Sequence, residues 1–208
     1  VTSGARVSNN LLKSFNGSVG TVEVGYAKTQ FDAPSSEQSG TITINDGGAA
    51  ITLAEALTIQ AKQAEITVGD GTNGGDLTLT GAGDALTVNG IGSTLTITAD
   101  TTWITNEALI TINDSVLIDT TAGAVTFTLS SEADDDDTGA NVIITGNVTT
   151  TGGKSANLTI DAGNGNVTLG TTTANTLGSN TNRLAEVSIN TIGATVTLHG
   201  TVFAQFVT

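Results

Sequence analysis

A twelve-residue phrase that returns at a fixed interval constrains this chain more than any other feature. LTIDAGNGNVTL (Leu158–Leu169) is followed by VSINTIGATVTL (Val187–Leu198). Each copy is an apolar-x-apolar triplet, a side-chain amide or carboxylate, a small-residue corner with a glycine, and a second triplet. The same cadence runs in LTIQAKQAEITV from Leu57, in LTVNGIGSTLTI from Leu86 and in VLIDTTAGAVTF from Val116. The starts at Leu57, Leu86 and Val116, and again at Leu158 and Val187, keep one period of about 29 residues, the signature of a repeat architecture. In such a chain each unit buries its apolar side only against its neighbours.

The triplets read as short strands. Alternation in Leu57/Ile59, Ile66/Val68 and Leu86/Val88 puts the apolar pair on one face and Thr on the other. With 40 Thr, 26 Gly and a single Pro, the chain is rich in strand formers and corner residues. No stretch of ten or more residues keeps a helical apolar period, so the expected class is all-β. Leu77, Leu86 and Leu95 are nine apart, the length of one strand and one corner, and a third strand falls in each period (Leu77–Leu79, Leu109–Ile112, Val142–Ile144, near Leu177). The pattern predicts a β-solenoid, a three-sided β-helix of about 29 residues per coil. The alternative is an antiparallel β-sandwich in which each phrase is a hairpin, since AGNG and TIGA are acceptable hairpin turns. The polar residue closing the first triplet (Gln60, Asn89, Asp119, Asp161, Asn190) is expected to stack in register as a ladder.

Two departures from the repeat set the domain plan. Residues 1–40 do not fit it, and hold three of the seven aromatics (Phe15, Tyr26, Phe31), the only Pro and half the basic residues. They are expected to be an N-terminal cap over the first coil or a strand-exchange arm, with 41–208 as the repeat body. The step from Val116 to Leu158 is longer than the common period. Its excess, about a dozen positions, coincides with the acidic insertion 130–141, as expected of a loop let into one face of a repeat. At the other end, TVTLHGTVFAQFVT closes on an alternating strand that would be a sticky edge unless covered. Phe15, Val22, Val24 and Tyr26 at one end, and Val202, Phe203 and Phe206 at the other, are the expected assembly interface.

Charge narrows the function classes. The net charge is −14, and from Gln63 to Gly153 there is no Lys or Arg against thirteen Asp and Glu. Such a surface displaces no counterions from phosphates, so neither nucleic acid nor an acidic membrane is an expected partner. No run reaches membrane-spanning length. Absence of Cys leaves the chain without disulfides, and richness in Thr, Gly and Asn with few Lys suits an extracellular or cell-surface protein. His199 is the only His, so the usual nucleophile-base pairs and zinc sites have almost nothing to draw on, and no catalytic residue is assigned. A polysaccharide-degrading activity would need a carboxylate cluster on one face. Two acidic stretches are candidate calcium sites, because Ca²⁺ takes several oxygen ligands on a flexible loop. One is Glu132 with Asp134, Asp135, Asp136 and Asp137; the other is Asp70, Asn73 and Asp76 in GDGTNGGD.

The block Gly146–Gly200, GNVTTTGGKSANLTIDAGNGNVTLGTTTANTLGSNTNRLAEVSINTIGATVTLHG, resembles the β-strand-repeat regions of very large bacterial surface proteins. These are the filamentous-haemagglutinin-like adhesins and related autotransporter passengers. Leu158–Gly170 and Leu184–Gly200 follow their cadence most closely, and Thr41–Phe127 follows it loosely. The resemblance implies an extracellular β-solenoid serving adhesion or a surface filament. The expected function is therefore a structural subunit that joins copies of itself head to tail. The alternative is a calcium-dependent binding module for cell-surface glycans.

Overall fold

The computed structural model describes residues 14–16, 29–32, 41–45, 47, 50–54, 56–62, 65–133 and 137–208. Every regular element among them is a β-strand, and every strand pairing is parallel. The strands fall into three rows. Row one runs β2 (Thr29–Asp32), β5 (Leu57–Lys62), the first half of β8 (Leu86–Ile97), the first half of β10 (Ile110–Ile118), β12 (Val142–Ile144), β15 (Val167–Leu169) and β18 (Val196–Leu198). Row two runs β1 (Ser14–Asn16), β3 (Thr41–Asn45), β6 (Glu65–Val68), the second halves of β8 and β10, β13 (Val148–Thr150), β16 (Thr176–Leu177) and β19 (Thr201–Val202). Row three runs β4 (Ile51–Leu53), β7 (Leu77–Leu79), β9 (Thr101–Thr105), β11 (Val125–Ser130), β14 (Ala156–Asp161), β17 (Leu184–Asn190) and β20 (Ala204–Val207). Because β8 and β10 turn from row one into row two without breaking, those rows form one sheet of 13 strands; row three is a sheet of seven.

The chain is thus a β-solenoid whose turns follow one another about every 28 residues. Parallel pairing throughout rules out the hairpin sandwich, whose neighbouring strands would be antiparallel. Leu77, Leu86 and Leu95 open rows three, one and two of a single coil, so their nine-residue spacing is the length of one side. The described parts of residues 1–40, β1 and β2, extend rows two and one.

The twelve-residue phrase does not stay on one corner. Leu158 stacks on Val187 and Val167 on Val196, so those copies turn from row three to row one. The copies at Leu57 and Leu86 turn from row one to row two. Val116 does not stack on Leu86 but on Leu95, and the copy it opens turns from row two to row three. One corner grammar serves all three corners, and this has two consequences. The excess in the acidic insertion is six residues rather than a dozen: 12 positions separate Ser130 from Val142, against six from Asp161 to Val167, which pair with them. The polar ladder is also split. Gln60, Asn89 and Asn113 share one column and Asp161 and Asn190 another, while Asp119 stands in neither. Within the columns Asn113 Nδ2 donates to Asn89 Oδ1 at 2.8 Å and Asn190 Nδ2 to Asp161 Oδ1 at 3.2 Å.

A single apolar core fills the tube. Leu57, Leu86, Ile110, Val142 and Val167 form one fully buried column, and Ile66, Leu95, Val116, Val148 and Leu177 another. Its largest members are Trp103 and Phe127, packed edge to face with ring centroids 5.2 Å apart and planes at 86°. Inward threonines are satisfied locally: Thr101 Oγ1 donates to Ala99 O at 3.0 Å and Thr105 Oγ1 to Ala108 O at 2.5 Å. This is the requirement on any polar group taken out of water.

Corners pack backbone on backbone. A Cβ placed on Gly165 would collide with the carbonyl of Ala140 in the coil beside it, and no flexible side chain is there to yield. Gly165→Ala should therefore destabilise by about 1–3 kcal/mol, the usual cost of overpacking. Urea unfolding followed by far-UV circular dichroism checks this, with Gly123→Ala as the comparison, since a Cβ at Gly123 meets nothing.

Candidate functional site

The corner at residues 69–76 joins β6 to β7, and its sequence GDGTNGGD folds around one carboxylate. Asp70 Oδ1 accepts from the backbone N–H of Asn73 at 2.7 Å and of Thr72 at 2.8 Å. Asp70 Oδ2 accepts from Nδ2 of Asn45, one coil away, at 2.9 Å and of Asn73 at 3.3 Å. These donors, the Asn73 N–H foremost and then the Asn45 amide, hold the Asp70 carboxyl far below the usual carboxylate range. Asp76 faces a different partner: its Oδ1 accepts from the backbone N–H of Thr102 at 2.6 Å. Of the proposed calcium set, then, Asn73 turns its amide to Asp70, and Asp70 and Asp76 spend oxygens on N–H groups. A similar arrangement recurs at Asp119, whose Oδ1 accepts from the Thr121 hydroxyl at 2.5 Å, the Thr121 N–H at 3.0 Å and the Thr151 hydroxyl at 3.1 Å. Its carboxyl is lowered too, chiefly by the Thr121 hydroxyl.

Both groups have a folded-state pKa below the unfolded value of about 3.9. Their contribution to stability is therefore complete above about pH 4 and is lost as pH falls through the lowered folded values. Asp70→Asn should melt at a lower temperature than the parent at pH 7, and the difference should narrow as pH falls below about 4. A difference that stays constant down to pH 2 would refute the assignment.

The acidic insertion joins β11 to β12. Asp134, Asp135 and Asp136 lie outside the described residues. Glu132 is buried, and its Oε1 accepts from the backbone N–H of Asp137 at 2.8 Å, with Asp137 in the left-handed region at φ 66°. Ser131, fully buried, closes the loop: its Oγ donates to Ala140 O at 2.6 Å and accepts from Ala140 N at 3.1 Å. Glu132 therefore braces the loop from inside. Among the described residues no group of three or more His, Asp or Glu stands where it could hold a metal ion.

The third candidate is the last coil, β18–β19–β20. Val196 and Leu198 stack on Val167 and Leu169, Val202 on Leu177, and Val207 on Val187. Each lower member of these pairs is completely buried, whereas Val196 is 39% exposed, Leu198 37% and Val207 54%. Val202 packs partly against the core and Phe203 is half-buried, its N–H donating to Leu177 O at 2.6 Å. Phe206, in register with Glu186 on the outer side of row three, is 65% exposed. With Ile192 in the preceding corner, five of the six exposed large hydrophobics among the described residues lie in this coil. His199 follows β18 and donates its N–H to Leu169 O at 2.9 Å. Of the opposite end, Phe15 sits in β1, while Val22, Val24 and Tyr26 lie outside the described residues.

The chain matches no protein-family model, no curated protein and no solved structure. Among the described residues no helix is long and apolar enough to cross a membrane.

Sequence reading named the stretch 195–208 as a sticky end and singled out Val202, Phe203 and Phe206 in it; it did not single out Val196, Leu198 or Val207, and it missed Ile192. Val196 and Leu198 belong to a repeat phrase, and in the coils from β5 to β15 those positions are covered. The available signal was charge: residues 187–208 contain no Asp, Glu, Lys or Arg.

Proposed function

We propose that this protein is an extracellular structural subunit that joins copies of itself end to end into a surface filament or layer, with adhesion as a further role. The observation that carries the reading is the last coil, where core positions keep their apolar side chains and stand exposed. Solvent as a permanent neighbour would favour polar residues there, as in the capping repeats of other solenoids. Charge guards against edge pairing in natural sheets, and here it is missing from the whole of residues 187–208 in an acidic chain. The resemblance of Gly146–Gly200 to surface-adhesin repeats supports the extracellular setting.

The body offers little for chemistry: one His, no Cys, and carboxylates at Asp70, Asp76, Asp119 and Glu132 that serve corner hydrogen bonds. The reading is accordingly mechanical rather than enzymatic. It is tested by electron microscopy and sedimentation of the purified chain over a rising concentration series, in calcium and in chelator. Regular fibres or sheets are expected; monodisperse particles throughout would overturn it.

A further inference from the structure

After Lys62 the chain has only two basic residues, Lys154 and Arg183. Each stands three residues before a member of the Asn157–Glu186 pair, so the two lie on consecutive coils of one corner, that between rows two and three. The two coils before them carry acids on the same corner, Asp100 in 98–100 and Asp119 in 119–124. Along the solenoid this corner therefore runs acid, acid, base, base. We infer that it is the contact surface for a second copy of the chain lying alongside and antiparallel, with Asp100 on Arg183 of the second copy and Asp119 on its Lys154. The contact does not depend on end-to-end growth, though growth would repeat it at every subunit.

Among the described residues none of the four meets an opposite charge in its own chain. The Arg183 guanidinium has no partner there, and Lys154 Nζ donates to a neutral group, Ala122 O, at 2.9 Å. Asp100 Oδ1 accepts from the Thr126 N–H at 2.8 Å, and Asp119 from the two hydroxyls and the N–H given above. Asp100, Lys154 and Arg183 are exposed and Asp119 is half-buried. Glu186, the acid nearest Arg183 in the chain, stands on row three, where Thr208 Oγ1 donates to its Oε1 at 3.4 Å. The middle of the corner is open to a neighbour. Gly123 and Gly153, in the Asp119 and Lys154 coils, have no side chain, and a Cβ on either would meet nothing.

The order of charges selects the arrangement. A twofold axis between the Asp119 and Lys154 coils sets both acids of each copy on both bases of the other and no like charges of the four on one another. Moving the axis onto either of those coils brings Asp119 to Asp119 or Lys154 to Lys154. A parallel pair in register stacks acid on acid, and a parallel pair shifted by two coils makes half as many ion pairs. The antiparallel contact is isologous and closes at two copies. The corner between rows three and one offers no such match: from β7 onward it carries Asp84, Glu107 and Glu132 and no Lys or Arg.

Exposed ion pairs are weak one at a time, so the contact is tested at high concentration and by exchanging charge between copies. The Leu198→Asp background, chosen to block end-to-end growth, is followed by sedimentation equilibrium to about 1 mM, at moderate salt to limit repulsion between the acidic bodies. Monomer and dimer are expected, with nothing larger. Arg183→Asp and Asp100→Arg, each added to that background and checked for fold by circular dichroism, should each weaken the dimer by about tenfold. Mixed in equal amounts they should associate as the background does, because a mixed dimer faces an arginine with an aspartate at both contacts. Lys154→Glu tests the inner pair without touching Asp100 and should weaken the dimer by a similar factor. A background chain that stays monomeric, a mixture no tighter than its separate variants, or a Lys154→Glu chain that associates unchanged rules this contact out. Fibre formation by the parent chain, measured in parallel, decides the end-to-end reading separately.

Discussion

Replacing Trp103 by Ala should lower the unfolding free energy by about 3–5 kcal/mol, the largest effect expected of any single core substitution here. Trp103 is fully buried, stacked between Leu77 and Leu129 in neighbouring coils and edge to face with Phe127. Its removal opens a cavity that parallel strands, fixed above and below by hydrogen bonds, cannot collapse to fill. A second loss adds to the first: Trp103 Nε1 donates to Gly75 O at 2.9 Å across one coil. Trp103→Phe separates the two effects. It keeps most of the volume and leaves the Gly75 carbonyl without that donor, at a cost of about 1–3 kcal/mol. Urea denaturation of both variants is the check. A cost for Ala below that for Phe would show that Trp103 is held for some reason other than packing.

The second large effect is expected at the exposed end. Leu198→Asp should leave the solenoid folded, because Leu198 is already 37% exposed and lies in the last strand of row one. It should nevertheless abolish end-to-end growth at concentrations where the parent polymerises. Covering a leucine contributes about 1.5–3 kcal/mol, and covering a carboxylate in its place costs several more. At about 1.4 kcal/mol per tenfold, the concentration needed for assembly rises by about a hundredfold or more. Sedimentation velocity across a concentration series measures the shift, with circular dichroism to confirm the fold. Thr197→Asp, whose parent residue lies on the outer face of the same strand, should have a smaller effect.

Much of the fold was legible because the code is local. Alternation in each triplet names the inward pair, and the buried columns at Leu57, Leu86, Ile66 and Leu95 follow it without exception. What sequence alone could not give was the frame. The phrase specifies a strand, a corner and a strand, and nothing in it says which of three corners it will occupy. Copies at Leu86 and Val116 thus look like successive coils when they are one side out of step. The apparent dozen-residue insertion came from comparing Val116 in row two with Leu158 in row three. Site residues were less legible than strands. Asp70 reads as a ligand from its glycine-rich surroundings, but the same surroundings bring backbone N–H groups onto its oxygens. Exposure of Val196 is a property of what lies beyond it in space, which no triplet encodes.

The direction of the backbone hydrogen bonds determines how the molecule bears load. In a stack of parallel coils they run along the long axis, so a pull from end to end stretches them in tension instead of shearing whole strands together. Such a tube should yield one turn at a time, peeling from its ends. With about 28 residues per turn, each yielding step would release roughly 90 Å of slack chain. A tether built from these units would lengthen in small, repeated increments under strain and rewind when the strain is removed.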